Sequence, residues 1–152
     1  MENKDAVRKL SSLMKLDIDA AKGYDTALDH IKDPAIHSQI SKYRDDHLRH
    51  VDNLSTLISS LGETPPSRSP DLRGLFLGGA TFIQSISGTE GALKGLETGE
   101  KMTNDAYSDA VKQDFPPDIL NVLLSNYQDE KIHINYVRSA LETKSWEKRK
   151  AA

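Results

Sequence analysis

Three proline-marked breaks cut this chain into helix-length segments, and no other feature restricts its fold as strongly. The first is KDPA, where Asp33 can cap a helix and Pro34 suits its first position. The second is LGETPPSRSPDL, where Gly62 can end a helix, two prolines hold an extended linker, and Ser69-Pro70 can open the next helix. The third is KQDFPPDIL, with Pro116 and Pro117 forcing a break. The segments between them carry helical spacing of apolar residues, so the economical expectation is four helices, at about 4–32, 35–61, 70–112 and 117–144. The third segment is too long for the bundle its neighbours would make. Within it SISGTEGAL sets Ser87 three residues before Glu90, a capping-box pattern flanked by Gly88 and Gly91. A kink or break is expected near Ser85 to Thr89. Short loops make consecutive helices antiparallel, whereas the longer second linker leaves both an up-down bundle and a bundle with one crossover open.

The 152 residues fit a single all-α domain spanning 1–152, with 37% hydrophobic residues, 28% charged and few aromatics. A net charge of -3 argues against a nucleic-acid partner, and the absence of cysteine removes disulfides, thiolate chemistry and sulfur-ligated metal. The longest uncharged stretch, Gly74 to Thr89, is short for a membrane span and interrupted by Gly, Thr, Gln and Ser. MENKDAVRKL lacks the apolar core of a signal peptide. These features give a soluble cytoplasmic protein as the expectation. Leu75, Phe76 and Leu77 read first as core packing and second as an oligomer contact; with Trp146 they offer more apolar surface than a small bundle needs, and a homo-oligomer is expected on that ground.

Residues separated alternately by three and four share one face of a helix. The first segment lines up Leu10, Leu13, Asp17, Ala20, Tyr24, Ala27 and Ile31, and the second Ile40, Tyr43, His47, His50, Leu54, Leu57 and Leu61. The third lines up Leu93, Glu97, Glu100, Asn104, Tyr107 and Val111, and the fourth Leu123, Tyr127, Glu130, His133, Val137 and Leu141. Every apolar seam therefore carries an ionisable group near mid-helix. An unpaired buried charge costs several kcal/mol or shifts its pKa until it neutralises, so four such groups imply that they meet. A metal ion or a closed hydrogen-bond network would offset the cost. Carboxylates and imidazoles without sulfur suit iron, manganese or zinc. Taken singly, Glu130-x-x-His133 is a pattern common on surface helices, His47 and His50 can be partly buried histidines satisfied by neighbouring carboxylates, and Glu97 a solvated edge residue. Asp19, His30, His37 and Asp46 lie off the seams and read as surface.

These residues resemble a family. Carboxylates on two helices and Glu-x-x-His on the other two characterise the ferritin-like di-metal carboxylate bundles. Asp17 with Tyr24, LETGEKMTNDAY around Glu100, and DEKIHINYV around Glu130 and His133 are similar to three of those helices. LDIDAAKGYDTAL, YRDDHLRHV and GTEGALKGLETGEKMTN resemble, more narrowly, a bacterial group of small ferritin-like proteins of the DUF2383 type, over about Leu10 to Trp146. The resemblance implies an antiparallel ferritin-like four-helix bundle. It also implies a metal site of Asp17, His47, His50, Glu100, Glu130 and His133, with Glu97 in reserve and Tyr24 and Tyr107 as hydrogen-bonding supports. The departures are His47, where the pattern has glutamate, and the shorter Asp17. Losing one bridging carboxylate leaves Glu130 as the obvious bridge and weakens the hold on two high-valent irons.

Two functions follow. In the first, the bundle binds iron, or manganese or zinc, as an Fe(II) or peroxide oxidoreductase. Asp17, His47 and His50 form one half-site, Glu100 and His133 the other, and Glu130 bridges. In the second, it is a stress-associated interaction or structural bundle whose site is vestigial and hydrogen-bonded within itself.

Overall fold

The computed structural model describes residues 1–69 and 88–151. Among them are four long helices, α1 (Asn3–Leu28), α2 (Pro34–Ser60), α3 (Gly88–Ala110) and α4 (Pro117–Thr143), a short α5 (Ser145–Ala151), and no strand. Each long helix buries one seam at alternating three- and four-residue steps. In α1 it runs Ala6, Leu10, Leu13, Asp17, Ala20, Tyr24, Ala27, and in α4 Ile119, Leu123, Asn126, Glu130, His133, Val137, Ala140. This spacing keeps one narrow stripe facing the partner helices along the bundle.

Local chemistry sets the helix ends. The Asp33 side chain accepts from the Ile36 backbone N–H at 2.9 Å, and Pro34 stands at the first turn of α2. Proline also excludes the helical conformation from the residue before it, and Asp33 is extended (φ -72, ψ 121). Helix α1 stops at Leu28 rather than near residue 32, and beyond it Ile31 turns into the core. At the end of α2, Gly62 adopts φ 83, its N–H donates to Ser59 O and that of Glu63 to Ile58 O, a left-handed cap that satisfies the last carbonyls. Lys144, at φ 48, separates α4 from the unanticipated α5. The break expected near Ser85 to Thr89 falls mostly on residues 85–87, outside the described residues. At its described edge, Gly88 has φ 66, which no interior position of a right-handed helix takes.

The side-chain and cap contacts fix the topology. Asn3 Nδ2 donates to Leu61 O, so α1 begins beside the end of α2. The Lys32 N–H donates to Thr89 Oγ1, so α3 begins beside the end of α1. Helices α2 and α3 therefore run in the same direction, while the packed pairs α1–α2, α1–α3, α3–α4 and α2–α4 are antiparallel. Of the two topologies the sequence leaves open, this is the one with a single crossover.

The apolar interior falls into two clusters. One gathers Tyr24, Ile31, Ile36, Ile40, Leu93, Leu96 and Val137. The other gathers Leu10, Met14, Leu54, Ile58, Phe115, Ile119 and Leu123. Trp146 packs half-buried against the first cluster. Leu75, Phe76 and Leu77 lie outside the described residues. No described helix is long and apolar enough to cross a membrane.

Candidate metal centre

Between the two apolar clusters lies a polar layer. Asp17, His47, His50, Glu100, Glu130 and His133 are each fully buried there, contributed by all four long helices. The convergence inferred from the seams is thus present in the fold. His47 Nδ1 lies 2.8 Å from Asp17 Oδ1 and its Nε2 lies 3.0 Å from Glu100 Oε1. His50 Nδ1 lies 3.4 Å from Asp17 Oδ1 and 3.2 Å from Glu130 Oε1. His133 Nδ1 lies 3.5 Å from Glu100 Oε1. Two groups of four have ligand atoms mutually within 4.8 Å: Asp17, His47, His50 and Glu130, and His47, Glu100, Glu130 and His133. Such groups of carboxylate oxygens and imidazole nitrogens could hold metal ions. They share His47 and Glu130.

The surrounding hydrogen bonds orient this set. Tyr24 donates to Glu100 Oε1, and Tyr107 donates to Asp17 Oδ2 at 2.6 Å while accepting from Asn126 Nδ2. These are the two supports the sequence named. Two more were missed. Asp129 Oδ2 lies 3.0 Å from His50 Nε2, and Asp46 Oδ2 lies 2.9 Å from His133 Nε2. Each aspartate is about a quarter exposed and sits at the rim of the layer. Asp46 is therefore no mere surface residue, and Asp19, also expected outside, is buried. Of the remaining off-seam residues, His37 is exposed and His30 half-buried.

Glu97 needs a correction. Its side chain is 40% exposed and pairs with Arg138 at 3.4 Å, away from the centre. The α3 seam is Leu93, Leu96, Glu100, Thr103, Tyr107, Ala110, which places Glu97 one position past the buried Leu96 and on the flank.

Burial disfavours every charge in this layer, and the neighbours decide the outcome. For Asp17, burial is outweighed by hydrogen bonds to His47 and His50, which hold its carboxyl below the usual range. Glu100 is held low against burial by His133 and His47. Burial works against a cationic His50, yet Asp129, Asp17 and Glu130 raise it to about 10. Burial is likewise overcome at His47 by Glu130, Asp17 and Glu100, and at His133 by Asp46 and Glu100, so both are raised. Glu130 is pushed up, chiefly by burial. Burial and the adjacent carboxylates push Tyr24 and Tyr107 well above the usual phenol, so both remain protonated donors. Without a metal, protons on the imidazoles thus serve as the counter-charge for the carboxylates.

Protons do not complete the layer. Both carboxylate oxygens of Glu130, and Nδ1 of His133, are buried without any hydrogen bond. Glu130 Oε1 is near His47 and His50 but lacks hydrogen-bond geometry to either. A buried acceptor left this way costs about 1–3 kcal/mol, and more when charged. A cation between the half-sites fits these atoms.

The layer is built twice over. Asp17 and Glu100, Tyr24 and Tyr107, Asp46 and Asp129, His47 and Glu130, and His50 and His133 all stand at one constant offset, 83 residues (100 minus 17, 133 minus 50). Pro34 and Pro117, at the starts of α2 and α4, obey it too. The α1–α2 hairpin and the α3–α4 hairpin therefore present matching residues, and only His47 opposite Glu130 changes the class of ligand.

Comparison with known proteins agrees with this picture of the fold. The family model described as a domain of unknown function, DUF2383, matches residues 5–113. That span holds α1 to α3, with Asp17, His47, His50 and Glu100, whereas Glu130 and His133 lie beyond it. Among solved structures, the crystal structure of a conserved hypothetical protein from Mycobacterium tuberculosis superposes with a TM-score of 0.76 at 13% identity, covering 93% of this chain and 94% of that one. Among curated proteins there is no significant match.

Proposed function

This chain belongs to the DUF2383 family, and from that premise we propose that its buried polar layer is a working metal centre of the ferritin-like di-metal carboxylate kind. Iron is the foremost candidate, with manganese or zinc as alternatives, and the activity is oxidation of Fe(II) or turnover of peroxide. One observation carries the reading: Glu130 and His133 Nδ1 are buried and aimed at the centre with no hydrogen-bond partner. A vestigial site closed by its own hydrogen bonds would give each of these atoms a hydrogen bond, whereas here Glu130 Oε1 and His133 Nδ1 meet only neighbouring charges and Glu130 Oε2 has no hydrogen bond.

Asp17, His47, His50, Glu100, Glu130 and His133 would hold the metal. When bound, a redox-active ion such as iron would supply one-electron exchange with dioxygen or peroxide. The chain's own residues prepare the place. Asp129 and Asp46 accept from Nε2 of His50 and His133, which turns each Nδ1 inward and fixes the tautomer. Tyr24 and Tyr107 donate to Glu100 and Asp17 and hold each carboxylate in one orientation. The apolar clusters on either side exclude bulk water, which strengthens every charge interaction between them. A cytoplasmic homo-oligomer remains part of the proposal, with Leu124 and Ile132 exposed along α4 as apolar surface for a second copy.

Elemental analysis of tag-free protein, followed by melting curves with iron, manganese and zinc, tests the reading. At a hundredfold excess over Kd a bound ion stabilises by about 2.7 kcal/mol, which raises the melting temperature by several degrees. Absence of metal, with no metal-dependent change in melting, returns the layer to a vestigial network.

A further inference from the structure

We propose that His47 bridges the two metal positions, one ring nitrogen to each, in the place where its counterpart across the bundle is the carboxylate of Glu130. The inference rests on the metal-centre reading above and deepens it.

The placement of the three ring systems carries the proposal. His50 and His133 each tie Nε2 to a rim aspartate and turn a single nitrogen inward. His47 turns both inward. Its Nδ1 lies 2.8 Å from Asp17 Oδ1 and its Nε2 lies 3.0 Å from Glu100 Oε1. Those two carboxylates belong to different half-sites, and His47 is common to both. Glu130 is the other residue common to both, and it occupies the matching place in the second hairpin.

A ring that holds a metal on each nitrogen must first give up both ring protons. The balance is simple: both N–H bonds of His47 break, two metal–nitrogen bonds form, and two protons pass to the buffer. No oxidant or reductant takes part.

The test uses the intact, tag-free protein loaded with zinc. Crystals measured at the zinc edge should show two anomalous peaks, one bonded to each nitrogen of His47. Zinc absorption spectra in solution should show imidazole scattering with no metal–metal vector in the ~3.5–4 Å range of carboxylate-bridged pairs. In His47→Glu that short vector should appear. A short vector in the wild-type protein, or zinc on only one nitrogen of His47, overturns the bridge and leaves the metal-centre reading standing. Protein that takes up no zinc overturns both.

Discussion

The rim aspartates offer the sharpest test of how the centre is built. Consider Asp46→Asn and Asp129→Asn. Each replacement keeps shape and an acceptor oxygen but removes the charge facing Nε2 of His133 or His50, at 2.9 and 3.0 Å. A carboxylate behind a ligating imidazole raises its basicity and fixes its tautomer, and its loss costs 10–100-fold in metal affinity, about 1.4–2.7 kcal/mol. Both aspartates are 26% exposed, so water can partly replace them, and the lower half of that range is expected. Zinc affinity measured by chelator competition at fixed neutral pH should therefore fall about tenfold in each variant. Asp45→Asn serves as the control, since Asp45 pairs with Arg44 on the outer surface. Unchanged affinity in both variants, or an equal loss in the control, would refute the claim that Asp46 and Asp129 orient the ligands.

Three further outcomes follow from the same geometry. In metal-free protein His50 is raised to about 10, so its contribution to stability is complete below the unfolded value of 6.5 and disappears as pH rises towards 10. Asp17 and Glu100 are lowered, so theirs is complete above the ordinary carboxylate range and lost as pH falls below it. The melting temperature of stripped protein should thus peak between about pH 4.5 and 6.5, while the increment given by zinc should grow as pH rises and the imidazoles shed protons. A stripped protein most stable above that window would contradict the proton-filled layer. Glu97→Gln should leave metal content unchanged, because Glu97 faces Arg138 rather than the centre; reduced zinc stoichiometry would restore it to the site. Tyr107→Phe removes a 2.6 Å bond to Asp17 and the acceptor of Asn126, and should lower stability in urea by about 1.5–3 kcal/mol with an unchanged m-value; an unaltered midpoint would count against that bond.

The fold was legible because its determinants are local. Pro34 and Pro117 fix two helix starts, and Gly62 fixes a helix end, through backbone geometry that needs no distant partner. Topology was not, because the choice between one crossover and a simple up-down path depends on which helix ends meet. Only contacts such as Asn3 with Leu61 and Lys32 with Thr89 decide that. The short α5 also went unread, since it hangs on a left-handed Lys144 that propensity does not favour.

The centre was legible wherever a charge interrupted an otherwise apolar seam, since burial makes such a residue conspicuous. Where a seam was traced one step out of register the reading failed. On α3 a step of four from Leu93 selects Glu97, whereas the step of three to Leu96 leads correctly to Glu100 and Tyr107. Asp46 and Asp129 escaped for a different reason. They sit beside the seam, where a charge is ordinary, and their role lies in a neighbour's ring nitrogen on another helix. The constant offset between hairpins was the available signal. Superposing the two hairpins in sequence sets Asp46 on Asp129 next to His47 on Glu130, and a repeated aspartate just before each ligand is not what a solvated face requires. The same superposition isolates His47 as the position where the two halves differ in ligand type. That is where the layer departs from a symmetric carboxylate pair, and where the proposed bridge would set the metal spacing.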